Sequence, residues 1–177
     1  TRSIYSGDGT NRVKMPSVTY GNTQSYTVSI SITTGTELTY LNCFNSQLSA
    51  LDVSNNPALE ALDCSVNELS VLDVSNNAAL TDLSCHNNQL SALDVSSNTA
   101  LTYLDCSYND LSPLDVSNNM KLETLNCSSN DLSTLDVSNN TALTRLSCSY
   151  NNLSALDVSN NAALKTLSCT SNDLSVL

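Results

Sequence analysis

The chain has 177 residues, of which 40% are hydrophobic, but it contains no Trp and a single Phe, so its core must be largely aliphatic. Its formal net charge of -11, from 17 acidic and 6 basic residues, would repel a phosphate backbone and argues against nucleic acid as a partner. No apolar run approaches the roughly 18 residues needed to cross a bilayer, so we expect no membrane insertion by this segment.

Residues 1–37 lack the pattern that governs the rest of the chain. Residues 7–11 read GDGTN, which is typical of a turn, and residues 25–33 alternate apolar and polar side chains as a half-buried strand does. A stack of repeats exposes apolar side chains and unpaired strand edges at its ends, so a cap is expected. We therefore predict that residues 1–37 form an N-terminal β cap or, alternatively, the tail of an upstream domain.

From residue 38 onward the sequence repeats with a period of 21 residues that never slips. Each unit contains two similar phrases, for example L-x-x-L-x-V-x-x-N over residues 48–56 and L-x-x-L-x-C-x-x-N over residues 59–67. In each phrase the second Leu and the Val or Cys two positions later share one face, which predicts a short strand with those side chains inward. The closing Asn suits a tight corner, because its amide can bond to backbone groups that a bend leaves unpaired.

A single coil of this kind cannot be stable alone. Ordering it costs about 1.5 kcal/mol per residue, and burying its few apolar side chains returns only about 1.5 to 3 kcal/mol each. The units must therefore stack, with each strand pairing in register with its equivalent about 4.8 Å away. We predict an all-β solenoid with two parallel β-sheets, low curvature and about seven coils over residues 38–177, and we expect its C-terminal end to be truncated or followed by a further segment.

The cysteine-containing phrase resembles the leucine-rich repeat signature L-x-x-L-x-L-x-x-N, with Cys43 and its equivalents at the third Leu position. Its alternation with L-x-x-L-D-V-S-x-N is similar to the repeats of bacterial surface proteins of the Bacteroidetes and internalin-like kinds. The resemblance covers residues 38–177, and Ser46 departs from it at the Asn position of the first copy. It implies a leucine-rich repeat domain, secreted or displayed on a bacterial cell, that presents a surface to another molecule.

The cysteines recur at one inward position in every repeat. They are odd in number and none belongs to a C-x-x-C pair, so a disulfide framework and a zinc site both lack their usual spacing. We predict a buried ladder of free thiols, in which Cys serves as a small apolar side chain, and no cofactor. The ladder consists of Cys43, Cys64, Cys85, Cys106, Cys127, Cys148 and Cys169.

An aspartate follows the inward Leu of each D-V-S phrase and is predicted to point outward, above its equivalents. Like charges about 5 Å apart repel by roughly 1 kcal/mol in water, so something must offset the repulsion. Two interpretations stay open: a row of Ca²⁺ sites, or hydrogen bonds from Asn side chains and from the serines equivalent to Ser54. The row consists of Asp52, Asp73, Asp94, Asp115, Asp136 and Asp157.

The opposite sheet carries the positions that differ between repeats. A surface required only to be soluble and to stack has no need for aromatic residues, His or Arg, whereas binding hot spots favour aromatic residues and Arg. These positions therefore predict a partner-binding patch, with unselected variation as the alternative. The patch consists of Tyr40, Phe44, His86, Tyr103, Tyr108, Arg145 and Tyr150.

Catalysis has little support in the sequence. His86 is the only histidine, and it cannot be combined into a Ser-His-Asp or Cys-His set, nor is there a glycine-rich loop. We predict a non-catalytic recognition module for protein binding or adhesion at the bacterial cell surface, whose partner is a host or neighbouring-cell protein. The alternatives are a spacer or scaffold whose acidic face binds Ca²⁺ or self-associates, and glycan binding through the aromatic residues.

Overall fold

The computed structural model describes residues 12–14, 26–29 and 37–175, and within them the chain winds as a stack of coils without helices. All strand pairs are parallel. This arrangement confirms the predicted all-β solenoid of stacked repeats. The strands are β1 (Arg12–Lys14), β2 (Tyr26–Ser29), β3 (Tyr40–Asn42), β4 (Leu48–Asp52), β5 (Ala61–Asp63), β6 (Asp82–Ser84), β7 (Tyr103–Asp105), β8 (Thr124–Asn126), β9 (Arg145–Ser147) and β10 (Thr166–Ser168).

The main sheet contains eight strands in the order β1-β3-β5-β6-β7-β8-β9-β10. Its register places equivalent residues of successive repeats side by side, as Leu41 with Leu62 and Leu62 with Leu83. At the N-terminal side, β1 pairs with β3 and β2 pairs with β4. The strand predicted over residues 25–33 is seen as β2, whereas the turn predicted at residues 7–11 and most of the proposed cap lie outside the described residues.

Two parallel sheets are present, as predicted, but the second contains only β2 and β4. In later coils the backbone on this side is joined to its neighbour by hydrogen bonds such as that from the Gln89 N–H to the Leu69 carbonyl, 2.9 Å long. The D-V-S phrase closes on itself in each coil, as where the Ser54 N–H donates to Asp52 Oδ1 at 3.0 Å and the Ser75 N–H donates to Asp73 Oδ1 at 2.9 Å.

The core is a set of ladders made by the inward side chains of each repeat. The thiols lie among them as predicted, since all the cysteines except the partly buried Cys169 are buried, and all are free. The Cys64 thiol donates to the Ser84 carbonyl of the next coil, with 3.6 Å between sulfur and oxygen. Burial raises the pKa of Cys43 to about 12, so these groups remain protonated at neutral pH. The second coil contributes Leu59, Leu62, Cys64, Leu69, Leu72 and Val74.

From the second coil onward, one asparagine per coil ties backbone groups of two coils together at the corner after the cysteine. In the fourth coil, Asn109 Nδ2 donates to the carbonyls of Cys106 and Cys85, both at 3.1 Å. Asn109 Oδ1 accepts from the Leu90 N–H at 3.0 Å. The corner role predicted for Asn is therefore confirmed, and each such amide joins two successive coils. The same position holds Asn67, Asn88, Asn109, Asn130, Asn151 and Asn172.

A second asparagine per coil closes the corner after the D-V-S phrase. Asn119 Nδ2 donates to the carbonyls of Val95 and Asn98 in the preceding coil, both at 3.0 Å. Its Oδ1 is buried and accepts no hydrogen bond from the described part of the chain. This asparagine therefore fastens coils through its donor side alone. Its equivalents with a buried, unpaired Oδ1 are Asn77, Asn98, Asn140 and Asn161.

Candidate binding surface

The strand face is the outward side of the main sheet from β3 to β10, together with the corner that follows each strand. It consists of four rows of side chains that run along the stack. The first row begins at Tyr40, the second at Asn42, the third at Phe44 and the fourth at Asn45, and each row continues at the equivalent position of every later coil. Because the register is uniform, neighbours within a row are about 4.8 Å apart along the sheet.

All seven residues of the predicted patch lie on this strand face. Three of them are the first residues of β3, β7 and β9 and belong to the first row. Two follow β3 and β6 and belong to the third row, and two tyrosines lie at corners and belong to the fourth row. In that order they are Tyr40, Tyr103 and Arg145, then Phe44 and His86, then Tyr108 and Tyr150.

The structure divides these seven residues into two groups. Tyr40 and Phe44 belong to the first coil, three coils and about 14 Å from Tyr103. The Tyr40 hydroxyl accepts a hydrogen bond from Asn42 Nδ2 at 3.3 Å. The other five lie within four successive coils, those of β6 to β9, of which the coil of β8 contributes none. A single small ligand could therefore contact the central group without reaching the first coil.

The second row was missed as a source of candidate residues. It contains two carboxylates that are bound laterally, since Asn42 Nδ2 donates to Asp63 Oδ2 at 3.1 Å and Asn126 Nδ2 donates to Asp105 Oδ2 at 3.2 Å. The Ser107 hydroxyl donates to Asp105 Oδ1 at 2.6 Å. Residues two positions apart in a strand lie on the same face, so the alternation that placed Tyr103 on the strand face also places Asp105 there. That alternation was the signal that could have identified these carboxylates.

The centre of the strand face is electrically negative. The pKa of Tyr103 is raised, first by partial burial and then by the charges of Asp105, Asp63 and Asp82. The phenol therefore stays neutral and can donate a hydrogen bond at any physiological pH. Arg145, two coils further along the first row, is exposed and is the basic residue of this face.

The fourth row has an unusual backbone. Its residues have φ between 50° and 56°, the left-handed region that suits Gly or Asn, because a side chain with a Cβ atom costs roughly 1 to 2 kcal/mol there. The conformation turns the next residue, the corner asparagine, inward toward its carbonyl partners. The row consists of Asn45, Val66, Asn87, Tyr108, Ser129, Tyr150 and Ser171.

Two large aromatic side chains therefore occupy positions that the backbone disfavours. Tyr108 is 58% exposed and Tyr150 is 63% exposed, so neither gains much from packing against the protein. The third-row His86 lies beside this row, with its Nδ1 2.8 Å from Asn87 Nδ2. Periodicity alone placed both tyrosines on the surface, but it did not reveal the backbone conformation that holds them there.

The aspartate row on the opposite side is stabilised in its charged form by hydrogen bonds from its own coils. Hydrogen bonds from the Ser75 hydroxyl and the Ser75 N–H hold the pKa of Asp73 below its ordinary value, against the opposing effect of Asp94 and Asp52. In the first coil the Ser54 hydroxyl lies 2.6 Å from Asp52 Oδ1. No group of three or more His, Cys, Asp or Glu side chains that could hold a metal ion occurs in the described residues. The geometry agrees with the hydrogen-bonding interpretation of this row.

No stretch of helix in the described ranges is long and apolar enough to cross a bilayer.

Comparison with known proteins identifies neighbours by structure. No protein-family model matches the sequence, and no curated protein matches it significantly. The functional domain of InlJ from Listeria monocytogenes, described as including a cysteine ladder, is 38% identical over 74% of this chain and 34% of that one, with a TM-score of 0.57. The chain thus spans about a third of that relative.

Two further structures share the fold. An internalin, InlF, from Listeria monocytogenes is 23% identical, with a TM-score of 0.63 over 79% of this chain and 50% of that one. The leucine-rich repeat ectodomain of the plant receptor kinase GASSHO1/SCHENGEN3 from Arabidopsis thaliana, in complex with CASPARIAN STRIP INTEGRITY FACTOR 2, is 27% identical. Its TM-score is 0.68 over 76% of this chain and 18% of that one. With its in-register Leu, Asn and Cys ladders, the chain is an internalin-like leucine-rich repeat protein.

Proposed function

We propose that this chain is a non-catalytic recognition module that binds a protein on its strand face, secreted or displayed at the surface of a bacterium and serving adhesion to a host or neighbouring cell. The observation that carries the proposal is the presence of Tyr108 and Tyr150, both largely exposed, at left-handed backbone positions. The proposed contact surface is the predicted patch, extended by the second-row carboxylates Asp63 and Asp105.

The conformational cost supports selection for binding together with the exposed aromatic character of the two tyrosines, since Val66 carries the same cost outside the patch. Asn45 and Asn87 show that the fourth row accepts asparagine, which tolerates positive φ better than most residues. A fold that had only to stack would gain stability from asparagine at Tyr108 and Tyr150 as well. Strained residues that the fold does not require cluster at functional sites, and tyrosine is a frequent hot-spot residue of protein interfaces.

The chemistry of the strand face and the structural neighbours also support protein binding. Tyr103 and Arg145 add an aromatic hydrogen-bond donor and an exposed cation within two coils, a combination that is common at interface centres. The Arabidopsis ectodomain was determined in complex with CASPARIAN STRIP INTEGRITY FACTOR 2, which supports a binding role for this chain. Because the chain covers about a third of InlJ, the partner of this chain has to be found by experiment.

The test separates stability from binding. We expect Tyr108→Asn and Tyr150→Asn each to raise the free energy of unfolding by about 1 kcal/mol, because asparagine relieves the left-handed strain. We expect the same substitutions to reduce capture of surface proteins from host or neighbouring-cell extracts by about 10-fold or more. Urea denaturation measures the first quantity, and quantitative pull-down on the immobilised chain measures the second.

Val66→Asn is the matched control, since Val66 has the same backbone conformation at φ 56° and lies outside the patch. It should stabilise the fold by a similar amount and leave capture unchanged. Retained capture by the Tyr108→Asn, Tyr150→Asn double variant would show that the fourth row is not part of the interface, and the proposed surface would be wrong.

A further inference from the structure

The two corner tyrosines are separated by one intervening coil. Tyr108 and Tyr150 occupy the same position of the repeat, so their Cα atoms are about 9.6 Å apart along the stack, which is two strand spacings. Aromatic rings pair with each other at centroid distances of 4.5 to 7 Å, a range shorter than this spacing. The small Ser129 lies between them. Both rings are largely exposed, so a ligand that spans the gap can reach each of them.

An acidic border runs along the same corner. Asp110 and Asp131 lie two residues beyond Tyr108 and Ser129, and both are exposed. Their carboxylates follow each other along the stack, parallel to the tyrosine row. Across residues 38–177 the basic side chains are Lys121, Arg145 and Lys165, against a large excess of carboxylates. A ligand that lies on the tyrosines thus meets negative charge on its flank and is favoured if it is basic.

The spacing of the tyrosines selects the backbone form of the ligand. A polyproline II helix rises 3.1 Å per residue with three residues per turn, so it repeats about every 9.3 Å. An α-helix repeats every 5.4 Å, and the side chains on one face of a strand repeat about every 6.6 Å. Of the three, the polyproline II repeat agrees with the about 9.6 Å between the tyrosines, so that every third residue would meet equivalent surroundings.

Resting on the proposed function, we propose that the fourth row binds a basic, proline-rich protein segment in the polyproline II conformation, running along the stack. Its prolines pack against the rings of Tyr108 and Tyr150 over Ser129, and its Lys or Arg side chains face Asp110 and Asp131. Aromatic-lined grooves suit this conformation, because the peptide is already ordered before binding and loses little entropy.

The direct test is calorimetric titration of the chain with a synthetic (Pro-Pro-Lys)₄ peptide and with a (Gly-Ser-Lys)₄ peptide of equal charge. We expect the proline peptide to bind about 10-fold more tightly or better. Equal affinity for the two peptides would reduce the interaction to charge attraction and overturn the proposal.

The role of the two-coil spacing between the tyrosines is tested by one variant that changes this spacing and by another that adds a third tyrosine at the same spacing. The double variant Ser129→Tyr, Tyr150→Ser retains two fourth-row tyrosines but sets them one coil apart, and should weaken proline-peptide binding about 10-fold. Val66→Tyr adds a third tyrosine two coils before Tyr108, and should tighten binding of the same peptide by about 10-fold. Unchanged affinity in both variants would rule out the two-coil match.

The outcomes distinguish this inference from the proposed function. If Tyr108→Asn and Tyr150→Asn abolish capture of surface proteins while the wild-type chain does not bind (Pro-Pro-Lys)₄, the polyproline ligand is wrong and the binding surface stands. If the wild type binds a panel of neutral oligosaccharides in a Tyr108-dependent manner and does not bind the peptide, the row is a glycan site and the inference fails.

Discussion

Raising the pH from 8 to about 10 is expected to unfold this protein cooperatively. The cause is the buried thiol ladder. Burial, together with the charge of Asp63, raises the pKa of Cys43 from 9.0 to about 12. Burial likewise raises the pKa of Cys64, Cys85 and Cys127 well above that ordinary value. In the unfolded chain the same thiols regain ordinary pKa values and ionise near pH 9.

The sign and size of the effect follow from linkage. A thiol that is hard to ionise in the fold contributes stability that is complete below pH 9 and is lost as the pH rises toward its folded pKa. Each buried thiol then lowers the free energy of unfolding by about 1.4 kcal/mol for every pH unit above 9. Six thiols are fully buried, so together they remove about 8 kcal/mol by pH 10, which is comparable to the whole stability of a typical domain.

Urea denaturation under reducing conditions at pH 8, 9 and 10 measures this slope. The control is a triple variant in which Cys64, Cys85 and Cys106 are replaced by alanine. It should be less stable at pH 8 because of its smaller core side chains, but its loss of stability with pH should be about half as steep. An identical slope in the wild type and the triple variant would mean that the thiols are not responsible.

The corner asparagine gives the second large effect. We expect Asn109→Ala to lower the free energy of unfolding by about 3 to 5 kcal/mol. The substitution removes the acceptor of the Leu90 N–H and a donor to the carbonyls of Cys85 and Cys106. The Leu90 N–H is left buried without its acceptor, which costs about 1 to 3 kcal/mol. The two carbonyls keep Asn88 Nδ2 and Asn130 Nδ2 as donors, so each loses one hydrogen bond, at about 1 kcal/mol apiece.

Asn119→Ala is the comparison within the same coil. The two carbonyls that Asn119 contacts also accept backbone hydrogen bonds, Val95 from the Asn98 N–H and Asn98 from the Leu101 N–H. Its Oδ1 has no described donor to lose. We therefore expect a cost of only about 1 to 2 kcal/mol. Equal costs for the two substitutions, measured by urea denaturation, would contradict this account of the corners.

Much of the fold could be predicted because equivalent residues of successive repeats pack against one another in register. The alternation of Leu62 and Cys64 with polar neighbours set the inward face, and the constant period implied that Leu62 lies over Leu41 and under Leu83. The ladder of free thiols and the bonding role of the corner asparagines followed from the same reasoning. Each of these features depends on local periodicity, which a single sequence displays directly.

Features that depend on competition between hydrogen bonds could not be predicted in the same way. Asp73 was recognised as a charge needing compensation, but the sequence left a cation and hydrogen bonds from Ser75 as alternatives, and it did not show that the second sheet contains only β2 and β4. The left-handed corners were hidden as well, because Val66 and Tyr108 are poor indicators of positive φ. Only Asn45 and Asn87 carried that signal. The partner-binding role of the patch stays a prediction.

The uniform register has a consequence for how such a gene can change. Since every coil contacts its neighbours through the same ladders, unequal crossing-over that removes or duplicates a whole number of units leaves each remaining junction chemically unaltered. A frame-preserving loss of one or two codons would instead displace every downstream leucine from its place. Natural variants should therefore differ in length by entire repeats, and each added repeat would move the tyrosines one step along the rod without redesigning any residue.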